Sequence, residues 1–190
     1  MPRRNVVLLP GHCYRVYNRG HDRRTIFEDD ADYGRFVTLL REAVVDAGDE
    51  VFAYCLMPNH FHLMLRPATP DANRRVGLLQ MRYSKAQQSR TGRLGPLYQS
   101  KFEAVEVDTE RYAWLLSRYI HRNPCEAGLC RRPADWPWSS YREYAGLRQG
   151  TLPSTGPVLA GSAVAAYCRF VEFEPEPLLP SDLAIDRGRG

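Results

Sequence analysis

Polar and apolar residues switch between two periods along this chain, and the order of the switches outlines a fold. Residues 12–18 alternate as a first strand and lead into an arginine-rich loop at 19–24. Asp29 and Asp30 offer a helix cap, after which Tyr33, Phe36, Val37, Leu40 and Val44 recur at helical spacing until Gly48 ends the run. A hairpin follows: 54–56 and 60–65 are rich in aromatic and aliphatic residues, and Met57-Pro58-Asn59 between them is a tight connector. A second helix, about 71–89, puts Val76, Leu79 and Tyr83 on one face and Arg75, Arg82 and Lys85 on another. Beyond a turn-rich loop, 97–107 alternates as a fourth strand. Asp108 or Thr109 can cap a third helix, on which Tyr112, Leu115, Leu116, Tyr119 and Ile120 share a face until Pro124 stops it.

The order is βαββαβ and then α, an α+β class. Its economical packing is a ferredoxin-like split-βαβ sheet with helices on one face, plus the third helix and a C-terminal extension. Trp136 to Tyr141 reads as ordered. Residues 147–190, rich in Gly, Pro and Ser with one short helical pattern near 164–170, are weakly specified. The expected division is a domain at 1–146 and an extension at 147–190 that is dispensable for chemistry. No internal repeat is visible.

Charge is unevenly spread. Residues 171–190 hold two of the 26 basic and five of the 22 acidic side chains, so the first 170 carry 24 and 17, a net +7. Such a body suits a polyanion, although a solvated, arginine-biased surface has the same composition. Five cysteines (Cys13, Cys55, Cys125, Cys130 and Cys168), an odd number with no C-x-x-C, argue against a disulfide framework or zinc ribbon, and a reducing cytoplasm is the expected setting. The opening MPRRNVVLLP is too short an apolar run for an export signal or membrane span, and no later stretch qualifies.

Two pieces carry candidate chemistry. His60 and His62 stand two apart on the hairpin strand, so they share a face and can share one metal ion, while Phe61, Leu63 and Leu65 face the core. Two hydrogen-bonded polar residues would show the same tripeptide. On the third helix, Asn123 follows Tyr119 by four residues, which projects a phenol and a carboxamide together. Tyr119 also lies on the apolar stripe, where tyrosines serve as core residues with a hydrogen-bonded hydroxyl. Taken together, two imidazoles and an amide oxygen make an open site for a divalent cation, with positions left for water and a phosphate oxygen. The tyrosine one turn away would then sit beside an activated phosphorus.

Five segments carry a resemblance: YNRG (17–20), AYCLMPNHFHLML (53–65), GPLYQSKF (95–102), RYIHRNPCEAGL (118–129) and WPWSSYREYAG (136–146). In order and spacing they resemble the single-tyrosine HUH transposases, and more narrowly the REP-associated tyrosine transposases, over residues 12–146. The resemblance implies a ferredoxin-like domain that cuts and rejoins single-stranded DNA through a 5′-phosphotyrosine, leaves a free 3′-hydroxyl, and uses magnesium or manganese. It matches His60 and His62 to the metal-binding histidines, Tyr119 to the nucleophile and Asn123 to the third ligand. Two departures stand out. The second helix lacks an aromatic-Asn pair before the basic loop, and Arg15 replaces a histidine common after the first-strand aromatic. Neither is expected to touch the site, and both bear on DNA selectivity.

His121 points off the Tyr119–Asn123 face and reads at most as a backbone or phosphate contact. Cys125 and Cys130 would have to reach a strand face already facing Asn123 to join the histidines around zinc, although a structural zinc protein is one rival reading. Arg19, Arg82, Lys85 and Lys101 are candidate DNA contacts, each equally readable as surface charge. The expected partner is single-stranded or hairpin DNA, with the chain a monomer or a homodimer and no membrane involved. The main rival is a catalytically silent, domesticated DNA- or RNA-binding module on the same sheet, for which the His60, His62, Tyr119 and Asn123 set would have no purpose.

Overall fold

A computed structural model of the chain describes residues 6–150, 152–159 and 163–173. The acidic end at 174–190 lies outside the described residues. Four strands, β1 (Cys13–Arg19), β2 (Glu50–Met57), β3 (His60–Arg66) and β4 (Glu103–Val107), form one antiparallel sheet in the order β2-β3-β1-β4. Helix α1 (Asp30–Leu40), extended by a π-helical turn at Arg41–Val45, joins β1 to β2, and α2 (Ala72–Thr91) joins β3 to β4. This is the split-βαβ arrangement read from the sequence. Asp29 caps α1 by accepting from the Asp32 amide, and Thr109 caps α3 (Glu110–Glu126) by accepting from that of Tyr112.

Strand alternation sorts side chains onto two faces. Tyr14, Val16, Phe61, Leu63 and Leu65 pack with Phe36, Leu40, Val76, Leu79 and Tyr83 of α1 and α2. On the reverse, Ala53, Cys55 and Met64 meet Leu116, Tyr119 and Ile120 of α3. A register shift between Val51 and Ala53 lets the neighbours Phe52 and Ala53 both join this second cluster. The one-face expectation therefore holds for α1 and α2, while the tyrosine helix covers the other face.

Two predicted boundaries move. Of the strand expected at 97–107, only Glu103–Val107 pairs regularly. Upstream the pairing is interrupted, with Asn18 Nδ2 donating to the Ser100 carbonyl and its Oδ1 accepting from the Arg19 amide, before Gln99 donates to the Arg19 carbonyl and His21 to that of Leu97. Pro124 does not stop α3, which runs to Glu126 and closes where Ala127 donates to Asn123 O and Leu129 to Pro124 O, with Gly128 at φ +72°. Proline supplies no N–H there but its fixed φ is helical.

The chain after 146 is built into both clusters. Leu152 joins the first, Pro153 bridges Val51 on β2, and the Ser154 amide donates to the Val51 carbonyl. Helix α4 (Tyr141–Tyr144) precedes this stretch, and helix α5 (Val164–Glu172) places Tyr167 and Val171 in the second cluster, against α3 and beside Tyr141 and Tyr144 of α4. Among the described residues no helix is long and apolar enough to cross a membrane.

Candidate active site

The turn before β3 sets the first histidine. The Pro58 carbonyl accepts from the Ile26 and Phe27 amides and that of Asn59 from Gly20, which pins the β2–β3 connection to the segment after β1. Asn59 Nδ2 donates to the Arg23 carbonyl, so its Oδ1 faces His60 Nδ1 at 2.7 Å, and that ring nitrogen is the donor. His60 Nε2 then faces Asn123 Oδ1 at 3.1 Å.

For a neutral ring, that places two lone pairs toward one another. The arrangement fits a cation held by both atoms, because cis ligands at about 2.1 Å from a hard divalent ion lie about 3 Å apart. The outward N–H of His60 to Asn59 is the orientation a metal-ligating imidazole takes. His62, 1 % exposed, sits with its ring 5.0 Å from that of His60. Burial, then the charges of Arg15, His60 and Arg19, hold its imidazole well below the usual range, so it stays neutral and keeps a lone pair. The residues that could hold a cation are thus His60, His62 and Asn123.

Tyr119, 4 % exposed, meets the His62 ring edge-on at 5.4 Å. Over its ring, 5.0 Å from the centre, lies the guanidinium of Arg15, itself 1 % exposed, with Nη2 3.5 Å from the phenol oxygen. The same guanidinium is 4.6 Å from the centre of the Tyr17 ring, whose hydroxyl donates to Glu103. The structure brings His60, His62, Tyr119 and Asn123 together within one chain. It also corrects the expectation that the Arg15 departure lies away from the site.

The other expectations divide. Arg19 is the cross-strand partner of His60 and adds positive charge beside it. Lys85 and Lys101 line a groove between α2 and β4, whereas Arg82 pairs with Glu42 at 2.8 Å, on the π turn after α1. His121 is no phosphate or backbone contact: it is buried, bonded to the Tyr167 hydroxyl and to Ser140 Oγ, each at 2.8 Å, and burial pushes it down to about 3. Cys125 and Cys130 lie 3.1 Å apart, sulfur to sulfur, and among the described residues no group of three or more His, Cys, Asp or Glu side chains is placed to hold a metal.

Sequence reasoning missed Asn59, Tyr17 and Glu103, and misjudged Arg15. The period of β1 puts Arg15, Tyr17 and Arg19 on one face. That this face is the histidine face follows from the Tyr17–His62 and Arg19–His60 register. No local signal sets it.

Comparison with known proteins bears on this geometry. Among solved structures, a REP-associated tyrosine transposase bound to a REP hairpin is similar over 81 % of this chain and 98 % of its own, with a TM-score of 0.66 and 15 % identity, a likeness of fold. A protein from Deinococcus radiodurans described as a transposase matches over 61 % of this chain and 92 % of its own, with 22 % identity and a TM-score of 0.41. No curated protein matches the sequence. The model of the family described as "Transposase IS200 like" matches residues 10–123, from ahead of β1 through His60, His62 and Tyr119 to Asn123. That span is more than half of the chain, and the chain belongs to the IS200-like transposase family.

Proposed function

We propose that this transposase cuts and rejoins single-stranded DNA through a 5′-phosphotyrosine at Tyr119, in the manner of the REP-associated branch and at hairpin elements. The observation that carries the reading is the 3.1 Å approach of His60 Nε2 to Asn123 Oδ1, one helical turn from Tyr119 and beside neutral His62. His60, His62 and Asn123 would hold magnesium or manganese, which when bound supplies Lewis-acid polarisation of the scissile phosphate. The Tyr119 oxygen attacks phosphorus and forms one O–P bond as the bond to the 3′-oxygen breaks. The phenol proton passes to solvent and the leaving 3′-oxygen takes one up, so the strand ends as a free 3′-hydroxyl. Arg15 stands where negative charge on the phenol oxygen is stabilised, both in attack and when that oxygen leaves on rejoining. Because α3 lies on its own sheet, the four candidate residues lie together in one chain, which supports action as a monomer.

A silent binding module is favoured by one observation, the near-complete burial of Tyr119. Labelled single strands from the DNA flanking the gene, incubated with manganese and run on a denaturing gel, separate the two. The expected result is a covalent adduct that Tyr119→Phe abolishes while DNA affinity stays within a few-fold. Binding without any adduct, or undiminished cutting by the Phe variant, removes Tyr119 as nucleophile.

A further inference from the structure

A groove of about 1630 Å³ lies between α2, the loop after it and the edge strand β4. Its wall carries Arg74, Lys85 and Lys101, with the half-buried rings of Tyr17 and Phe102 as aromatic surface. The Tyr17 ring is 6.0 Å from that of His62, so the groove and the candidate active site share a residue. Two lining side chains, each at least nine-tenths buried, have polar atoms with no hydrogen-bond partner among the described residues: Gln80 Nε2 and the Tyr98 hydroxyl. The Gln80 amide is fixed in orientation, because its Oε1 accepts from Asn18 Nδ2 at 2.8 Å while Asn18 is held by Ser100 and Arg19. Only N–H remains to be satisfied. A buried donor without a partner is destabilising, and a ligand acceptor would relieve it. Burial keeps the Tyr98 phenol above its usual range, so it too remains a donor.

We infer that this groove holds unpaired nucleotides next to the scissile phosphate and that Gln80, with Tyr98, donates to a keto oxygen of one base. The basic wall fits the phosphate backbone, and the aromatic surface fits stacked, unpaired bases. With its carbonyl turned to Asn18, Gln80 presents N–H to the groove, and the keto oxygen of guanine or thymine is an acceptor that suits it. The inference rests on the strand-cleaving reading for its placement beside a scissile phosphate, but not for binding itself.

The test is an abasic scan through the single-stranded flank of a hairpin oligonucleotide, with affinity read by fluorescence anisotropy for the wild-type chain, Gln80→Met and Tyr98→Phe. Thermal melting checks that the variants fold, and Tyr98→Phe keeps the ring should Gln80→Met disturb its neighbours. The expected result is one flank position where the abasic site, or adenine for a keto base, weakens wild-type binding by about fivefold. At least one folded variant shows a similar loss on the intact strand and no further loss on the abasic one. Losses that multiply at every position, or variants that bind like wild type, overturn the proposal. A change in oligomeric state without a change in DNA affinity also overturns it, since the groove would then hold a second copy along β4. Covalent adduct formation is read separately: an adduct without coupling at the groove defeats this inference alone, and coupling without an adduct defeats only the cleavage reading.

Discussion

Arg15 lies over the ring of Tyr119, its guanidinium 5.0 Å from the ring centre and its Nη2 3.5 Å from the phenol oxygen. A permanent cation so deeply buried acts in a low dielectric, where its effect on a neighbouring oxygen is larger than in water. Arg15→Met keeps the length of the side chain and removes the charge. Single-turnover adduct formation at saturating DNA should slow by about a hundredfold, the scale on which loss of one preorganised donor is felt, with affinity within a few-fold. Arg15→Lys should fall between, since an ammonium keeps the charge but not the planar contact with both rings. An unchanged rate in Arg15→Met would mean that the guanidinium only packs.

Acid should loosen the second cluster through its histidine. His121 is pushed down to about 3 by burial from an ordinary value of 6.5, and His62 is lowered as well. The unfolded chain therefore binds more protons below pH 6.5, so stability from the neutral His121 is fully present above 6.5 and is lost as pH falls toward 3. At pH 5 the loss is about 2 kcal/mol relative to pH 8. Denaturant melts at the two pH values should show it, and His121→Gln should flatten the dependence while His62 retains its part. A wild-type stability independent of pH between 8 and 5 would contradict the burial of a neutral ring there.

The chain beyond 146 should be needed for folding. Tyr167 and Val171 of α5 are fully buried against α3, and the Tyr167 hydroxyl bonds both His121 and Ser117. Deleting two such side chains forfeits about 4 kcal/mol of burial. A chain ending at Gly146 should melt well below the full-length protein, and any loss of cutting should track that melting. If it melts with the full-length protein, residues 147–190 form a separate unit, as the composition suggested.

How far the sequence could be read depended on whether a signal was local. Period-two and helical patterns marked the strands and the three main helices, and His60 with His62, or Tyr119 with Asn123, needed only their own spacing. Their meeting required the βαββαβ order and the resemblance together. Arg15 was placed away from the site because its position over Tyr119 comes from the register of β1 against β3, a non-local pairing. The part played by α5 was hidden because a short amphipathic turn between glycine and proline carries no mark of what it covers. Gln80 lies on the buried side of α2, where only the absence of an acceptor distinguishes it.

Asn123→Asp discriminates most sharply among roles for the residue 3.1 Å from His60 Nε2. A carboxylate is nearly isosteric with the amide and is a stronger oxygen ligand for a hard cation, so manganese affinity measured by calorimetry should rise. The added negative charge also neutralises part of the pull on the scissile phosphate, so strand cleavage should slow even when the ion is saturating. His60→Ala supplies the reference, since it should weaken manganese binding and abolish metal-dependent cutting in a folded protein. Opposed changes in affinity and rate would identify Asn123 as a ligand. If Asn123 serves only the end of α3, where its carbonyl accepts from Ala127, the carboxylate leaves manganese affinity unchanged, and that result takes Asn123 out of the site.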